Sequence, residues 1–534
     1  MSKNKLKPLL LAAAMALAFG ATHAPAAEII PINFDGTDEG YNDPTPVAPV
    51  GGNPGTTIGE QRQIVAQFAA ELWGGVLVSP RPVYIAAQFN PLAPNVLGSA
   101  GATSAWRNFP GAQFPNTLYS VALAESIANV DLNPGVVDIS SQFSSNFTFY
   151  YGLDGQTPAG QVNFLDVVMH EYGHGLGFQN FENEATGAFL GGLPDVYSTF
   201  TYDNTAGLFW TQMTVDQRRA SALNYGNVVF TGASATAGAQ LVLGPRTTLR
   251  ISAPAAIAGD YDYGTASFGA PATPANYSGD VVVGLDAVIA TTSATATDGC
   301  SPLENAAAVA GKVVLVDRGS CAFVVKAKNV QDAGGRALLV ADSVAGSPVG
   351  MSGVDPAVTI PALRITLALG NAIKANLPGV QLGVVVDPTR LQGADNAGRP
   401  RLFMPNPVQP GSSGSHYDSA ALPNLLMEPA INSTLLSAFN VDISPNLLKD
   451  TGWVINAGNA TIGNCDTGID VVNDAGLIIG ANVQATSNVC LIGAVRRGDY
   501  QNCMDAYKTR LLAANLVTGK QAGSMMMCVS KLGK

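Results

Sequence analysis

The sequence predicts an α+β chain of several domains, and three observations support that class. A strand-like run at 147–155 leads into a helix-forming stretch that holds His170, Glu171 and His174. From about Pro245 to Asp387 the texture changes to short β-type runs around one helix, which reads as a separate β-rich α/β unit. Four of the six cysteines fall after residue 457, which sets off a small stapled segment. At 534 residues the chain is too long for one ordinary core, so about two to four domains are expected.

Composition narrows the setting. Charged residues make up 13% of the chain, well below the roughly 25% of an average soluble protein. The formal charge is −11, and no basic patch appears, which argues against a nucleic-acid or anionic-membrane partner. Lys3, Lys5 and Lys7, the apolar run Leu9 to Phe19, and the small-residue site Ala24-Pro25-Ala26 read as a secretory signal peptide over residues 1–26. Its removal deletes three lysines and no acid and takes the charge from −11 to −14. No second run is long enough to span a membrane. An exported chain, secreted or periplasmic, meets an oxidising compartment, so disulfides are the default for its cysteines. Oligomeric state leaves no trace in the sequence.

The elements follow in order. Residues 28–60 are rich in Pro, Gly, Asp and Asn and read as irregular surface chain. Glu60 to Trp73 has helical spacing, with Ile64, Val65, Phe68 and Leu72 on one face. Residues 82–89 predict a strand. Asn163 with Asp166 is close to a capping box and starts the helix that carries the histidines. Gly173, Gly175 and Gly177 weaken that helix, so it should end near Gly177. Strands are expected at 280–290, 312–317, 337–342 and 380–387, with a helix from Ala322 to Ala333. The expected divisions are 27–250 and 390–456 for the two parts of a catalytic domain, 251–389 for the insertion between them, and 457–534 for the cysteine-containing segment.

His170 and His174 are four residues apart, so on a helix they project from one face. Neutral imidazoles bind zinc well, and the adjacent Glu171 is placed to act as general base on a water. A catalytic zinc site takes three protein ligands. In the close-spaced pattern the third lies six residues after the second histidine, where this chain has Asn180. The chain holds four histidines, of which His23 lies in the signal peptide, so a three-histidine site must use His416. Between Glu184 and Glu304 there is no glutamate. Asp195 remains as the rival third ligand.

The stretch 411–429 carries Ser415-His416-Tyr417 and, eleven residues after the histidine, Met427 within Leu426-Met427-Glu428-Pro429. With His170, Glu171, His174 and Gly177, this resembles the metzincin zinc metalloproteases, and among them the leishmanolysin-like branch. In that branch the third zinc histidine lies far from the helix, after an inserted domain. The resemblance implies a zincin catalytic domain with a mixed sheet and active-site helix. It implies zinc on His170, His174 and His416, Glu171 as general base, and Met427 packed beneath the metal. Tyr417 departs from the tryptophan usual in the branch, and the inserted domain differs. Calcium is compatible with such a protein, but no residue pattern argues for it. No cysteine precedes Cys300, which excludes an N-terminal thiol switch.

The insertion resembles a protease-associated (PA) domain. The matching features are Gly311-Lys312, Asp317-Arg318-Gly319, Cys321-Ala322-Phe323, Lys326, Ala327 and Ala333-Gly334-Gly335. The resemblance implies a non-catalytic role and a bridge between Cys300 and Cys321. Asp317 and Arg318 are read as a turn cap and an ion-paired arginine rather than as catalytic groups. Pairing among Cys465, Cys490, Cys503 and Cys528 stays open.

The expected function is a secreted zinc metalloendopeptidase acting on proteins or peptides. The alternative is an exported PA-domain binding or surface-interaction protein with a vestigial or structural zinc site.

Overall fold

Thr57 opens the first long helix, and it does so by chemistry local to the sequence. Its side chain accepts the Glu60 N–H at 3.1 Å, and the Glu60 carboxylate accepts the Thr57 N–H at 3.2 Å, a complete capping box. The computed structural model describes residues 26–289, 293–431 and 434–532. Apart from Ala26, the expected signal peptide lies outside them. The helix, α1 (Ile58–Val76), buries Val65, Phe68, Leu72 and Trp73.

Four strands form the sheet beneath it: β1 (Ile29–Asn33), β2 (Val83–Asn90), β3 (Gly98–Ala102) and β4 (Ile139–Ser144). Their order is β1-β2-β4-β3. β1, β2 and β4 run parallel, and β3 is an antiparallel edge. α2 (Phe164–Gly175) packs on this sheet with every residue buried. Gly175 allows the close approach, since a Cβ there would stand 2.3 Å from Ile139. The expected capping box of α2 is only half made. Asn163 accepts the Leu165 N–H at 3.0 Å. Asp166 turns instead to Ser437, accepting its N–H at 3.1 Å and its hydroxyl. The helix stops because Gly177 adopts φ +121°, a backbone state that favours glycine.

The inserted unit is one eight-stranded sheet built from β5 (Pro245–Ala253), β6 (Gly259–Tyr261), β7 (Gly264–Thr265), β8 (Ser278–Val283), β9 (Val313–Asp317), β10 (Ala337–Ala341), β11 (Ala362–Ile365) and β12 (Gln381–Leu391). The order is β6-β5-β12-β8-β9-β10-β11-β7. Its centre, β8 to β11, is parallel. α3 (Phe323–Asp332) and α4 (Leu367–Ala375) connect strands of this sheet. The sheet starts at Pro245 and ends at Leu391, wider than the expected 251–389. The run expected to be a strand over 280–290 is strand only to Val283. β5 and β12 pair antiparallel, with Pro245 opposite Leu391, so the chain leaves and returns side by side. Asp317 is bonded by Lys374 and by Thr297, and Arg318 pairs with Asp342 at 3.1 Å.

After the insertion, α5 (Ser444–Thr451) is followed by Trp453, whose indole donates to the Leu176 carbonyl at 2.7 Å. Trp73 of α1 donates likewise to the Met169 carbonyl at 3.0 Å. Two indoles thus clamp α2. The last segment is a two-stranded sheet with α6 (Ile479–Ile492), α7 (Arg497–Ala513) and α8 (Gly519–Lys531). Disulfides Cys300–Cys321, Cys465–Cys528 and Cys490–Cys503 each close within one unit.

Asn488 of α6 donates to Glu71 of α1 at 3.0 Å. Burial pushes the Glu71 carboxyl up to about 7 from its ordinary 4.5, against the lowering effect of Asn488 and Gln67. An acid with a raised folded pKa binds more proton when folded, so stability falls as pH rises from about 4.5 to about 7 and is flat below that window. Glu71→Gln is expected to remove this loss. The variant melts higher than the parent at pH 8, by about 1–2 kcal/mol of stability, and equally at pH 4, as thermal melts at the two pH values check.

Candidate metal centre

Three histidine side chains meet at one point. The Nε2 atoms of His170 and His174 are 3.0 Å apart, those of His174 and His416 3.1 Å, and those of His416 and His170 3.2 Å. His416 comes 242 residues after His174 in sequence, and the adjacent strands β5 and β12 bring it back. All three rings are buried.

Each ring is oriented by its other nitrogen. His170 Nδ1 lies 2.7 Å from the Leu426 carbonyl, His174 Nδ1 2.8 Å from the Phe178 carbonyl, and His416 Nδ1 2.8 Å from the Ser412 carbonyl. A carbonyl oxygen only accepts, so each Nδ1 carries the hydrogen and donates. Burial holds all three rings neutral: His170 is pushed down to about 4 and His174 to about 3, and His416 falls well below its ordinary value. Three Nε2 lone pairs therefore face one another with no proton to share. A cation at their centre resolves this. Nitrogens about 2.0–2.1 Å from a tetrahedral ion stand about 3.3 Å apart, close to the observed triangle. The donor set fits zinc.

Glu171 occupies the gap between α2 and the edge strand β3. Burial pushes its carboxyl up to about 8, opposed by a hydrogen bond from the backbone of Ala100. A Cβ on Gly98 would sit 2.8 Å from the Glu171 Cγ and Oε1, so glycine is what lets the strand pass this close. The carboxyl is held between α2 and a strand whose far side pairs with no other strand among the described residues.

Met427 is fully buried under the helix. A Cβ on Gly173, between the two helical histidines, would meet its Sδ at 2.8 Å. The turn it occupies is fixed from below: Leu426 N–H donates to Asp442 at 2.5 Å, and Leu425 N–H to Glu428 at 2.8 Å. Tyr417 donates its N–H to the Met427 carbonyl at 2.8 Å and packs edge-on against Phe178. Asn180 serves a different purpose from its slot in the close-spaced pattern. It donates its N–H to Ser415 Oγ at 3.2 Å and accepts the Ser415 hydroxyl at 2.8 Å, which ties the end of α2 to the loop of His416. Asp195 stands outside the histidine cluster. Its carboxyl accepts the Phe181 N–H at 2.6 Å and the Ser198 N–H at 2.8 Å.

Comparisons with known proteins identify one part of the chain directly. Residues 278–373 match the PA domain family, so the chain carries a PA domain. It is 32% identical over 145 residues to vacuolar-sorting receptor 2 of Arabidopsis thaliana, covering 24% of this chain and 22% of that protein. It is 47% identical over 51 residues to ER degradation-enhancing alpha-mannosidase-like protein 3 of Homo sapiens, covering 10% of this chain and 6% of that one. The chain thus spans about a fifth of the receptor it matches, at 22%. Among solved structures, an aminopeptidase from Aneurinibacillus sp. strain AM-1 is similar at 22% identity over 27% of this chain and 31% of its own, with a TM-score of 0.19. A zinc aminopeptidase from Bacillus subtilis is similar at 19% identity over 29% and 36%, with a TM-score of 0.18. No helix among the described residues is long and apolar enough to cross a membrane.

Proposed function

We propose that this protein is an exported zinc-dependent endopeptidase of metzincin type, interrupted by its PA domain. The observation that supports this most directly is the triangle of unprotonated Nε2 atoms on His170, His174 and His416, with Glu171 next to His170 on the same buried helix. His170, His174 and His416 would hold the ion. Bound zinc supplies Lewis acidity, which polarises a carbonyl and acidifies water. Glu171 takes the proton of the attacking water at its carboxylate and returns it to the leaving amine. β3 offers its free edge to an extended peptide, which adds as a further strand, and main-chain bonding of this kind favours cleavage within a chain. Met427 packs beneath the histidines and takes no part in proton transfer. The reading also includes the signal peptide over 1–26 and the catalytic halves on either side of the insertion.

The test is a casein zymogram run beside metal analysis. About one zinc per chain is expected. A clear band should vanish with 1,10-phenanthroline and return with added zinc. Undiminished cleavage under the chelator overturns the reading. The likeness to a vacuolar-sorting receptor favours a second reading, a PA-domain binding protein with a structural zinc. That protein would hold the metal and show no band at all.

A further inference from the structure

The third histidine stands on chain that the insertion grips from outside. Residues 401–403 run between the strand Val228–Phe230 and the loop of His416. Leu402 N–H donates to the Val228 carbonyl at 2.9 Å, and Phe403 N–H to the His416 carbonyl at 2.9 Å. The Arg401 carbonyl accepts the Asp418 N–H at 2.9 Å, and the Phe403 carbonyl accepts the Gly414 N–H at 2.9 Å. Main-chain bonds on both sides of His416 thus fasten its loop to this segment.

The Arg401 side chain leaves the segment for the insertion. Its Nη1 lies 3.0 Å from Asp262 Oδ2, and the residue is 8% exposed. Asp262 sits between β6 and β7, and its other oxygen takes Arg246 of β5 at 3.0 Å. Among the described residues, Asp262–Arg401 is the only ion pair joining the insertion, 245–391, to the rest of the chain. A cavity of about 510 Å³ opens beside the pair, lined by Tyr225, Arg246, Asp262 and Arg401 among others. Polar contacts rather than apolar packing therefore hold the seam at this point. Burial opposes charge on Asp262, but Arg401 and Arg246 outweigh it and hold the carboxyl below its ordinary range. A buried pair that loses one member leaves the other charge uncompensated. Without Asp262, the carboxylate still acting on Arg401 is Asp418, two residues past His416. The guanidinium would then pull on the His416 loop instead of bracing it from the insertion.

We infer that Asp262 and Arg401 are positioning residues for the metal centre: the insertion braces the segment behind His416, so its docking and zinc binding are coupled. The inference rests on the reading of His416 as a zinc ligand. Such coupling is reciprocal, so a brace that favours zinc is tightened by zinc to the same extent. The rival account is an ion pair that only stabilises the fold.

Zinc affinity of the full chain, measured by competition with a chromogenic chelator, separates the two. Asp262→Asn and Arg401→Gln should each weaken zinc about tenfold or more, the loss that an outer partner of a metal ligand brings. The double variant should lose no more than the weaker-binding single, because both break one link, and additive losses overturn that link. Asp342→Asn is the control. It makes the same change to another buried carboxylate held by two arginines, Arg318 and Arg364, inside the inserted sheet. It should melt lower and bind zinc as the parent does. An Asp262→Asn variant that binds zinc as tightly as the parent overturns the inference, and so does an equal loss in Asp342→Asn. Hydrogen exchange of the parent covers a variant that fails to fold. Zinc added to the metal-free chain should slow exchange over 259–263 in the insertion as well as over 401–418, and no slowing over 259–263 overturns the inference. A parent that binds no zinc overturns the metal reading itself, and this inference with it.

Discussion

Glu171→Gln is expected to keep the metal and the fold and to lose peptide cleavage by about 10²–10⁴-fold, the range a positioned proton-transfer group contributes. The amide has the shape of the acid, so it fits the narrow space beside Gly98, where even a Cβ would approach to 2.8 Å. Its oxygen can still accept the Ala100 hydrogen bond. The histidine rings are oriented by Leu426, Phe178 and Ser412, none of which involves Glu171. What the amide cannot do is take a proton from water. Burial already opposes charge at this position, so the uncharged variant should melt at or above the parent temperature. Zinc content, melting temperature and cleavage of a quenched peptide, measured on one preparation, check all three expectations. A variant that cleaves as fast as the parent would remove Glu171 from the chemistry, whatever the metal does.

The sequence exposed the side chains of this site better than the supports that place them. His170, Glu171, His174, His416 and Met427 carry distinctive functional groups at distinctive spacings, and α1, α2 and four of the eight strands of the inserted sheet follow from periodicity and caps. The three carbonyls that orient the rings belong to Leu426, Phe178 and Ser412, and a backbone oxygen leaves no mark on residue type. The edge strand β3 reads Gly-Ser-Ala-Gly-Ala, with no β-branched residue and no apolar alternation. It is a strand because β4 pairs with it and Glu171 needs its glycine. β4 itself has serines at three of its six positions, which masks its buried face. α6 is equally hidden: it is buried between α1, α7 and the two strands of the terminal sheet, so it lacks the polar face that periodicity detects. Asp166 shows the limit of local rules, since a partner 271 residues away outcompetes the cap expected from the third residue of the helix.

His416→Ala is expected to abolish both zinc binding and cleavage while the chain stays folded, and Asp195→Asn is expected to leave zinc binding intact. Loss of even an outer partner of a metal ligand costs about 10–100-fold in affinity, so loss of one ligand of three should cost more. The backbone around position 416 does not depend on the ring. Phe403 donates to the His416 carbonyl and Tyr417 to the Met427 carbonyl, each through main-chain atoms that survive truncation. Ser415 keeps its clasp on Asn180. The variant should therefore resemble the metal-free parent in melting rather than an unfolded chain. Asp195 makes the opposite case. Its oxygens face Phe181 and Ser198, so the amide disturbs that loop and lowers melting without removing a nitrogen from the triangle. Zinc per chain, measured on both variants after dialysis against trace metal, is the deciding number. Full zinc in His416→Ala would leave two histidines and an unassigned third ligand, and the long excursion through the PA domain would then have no part in building the metal centre.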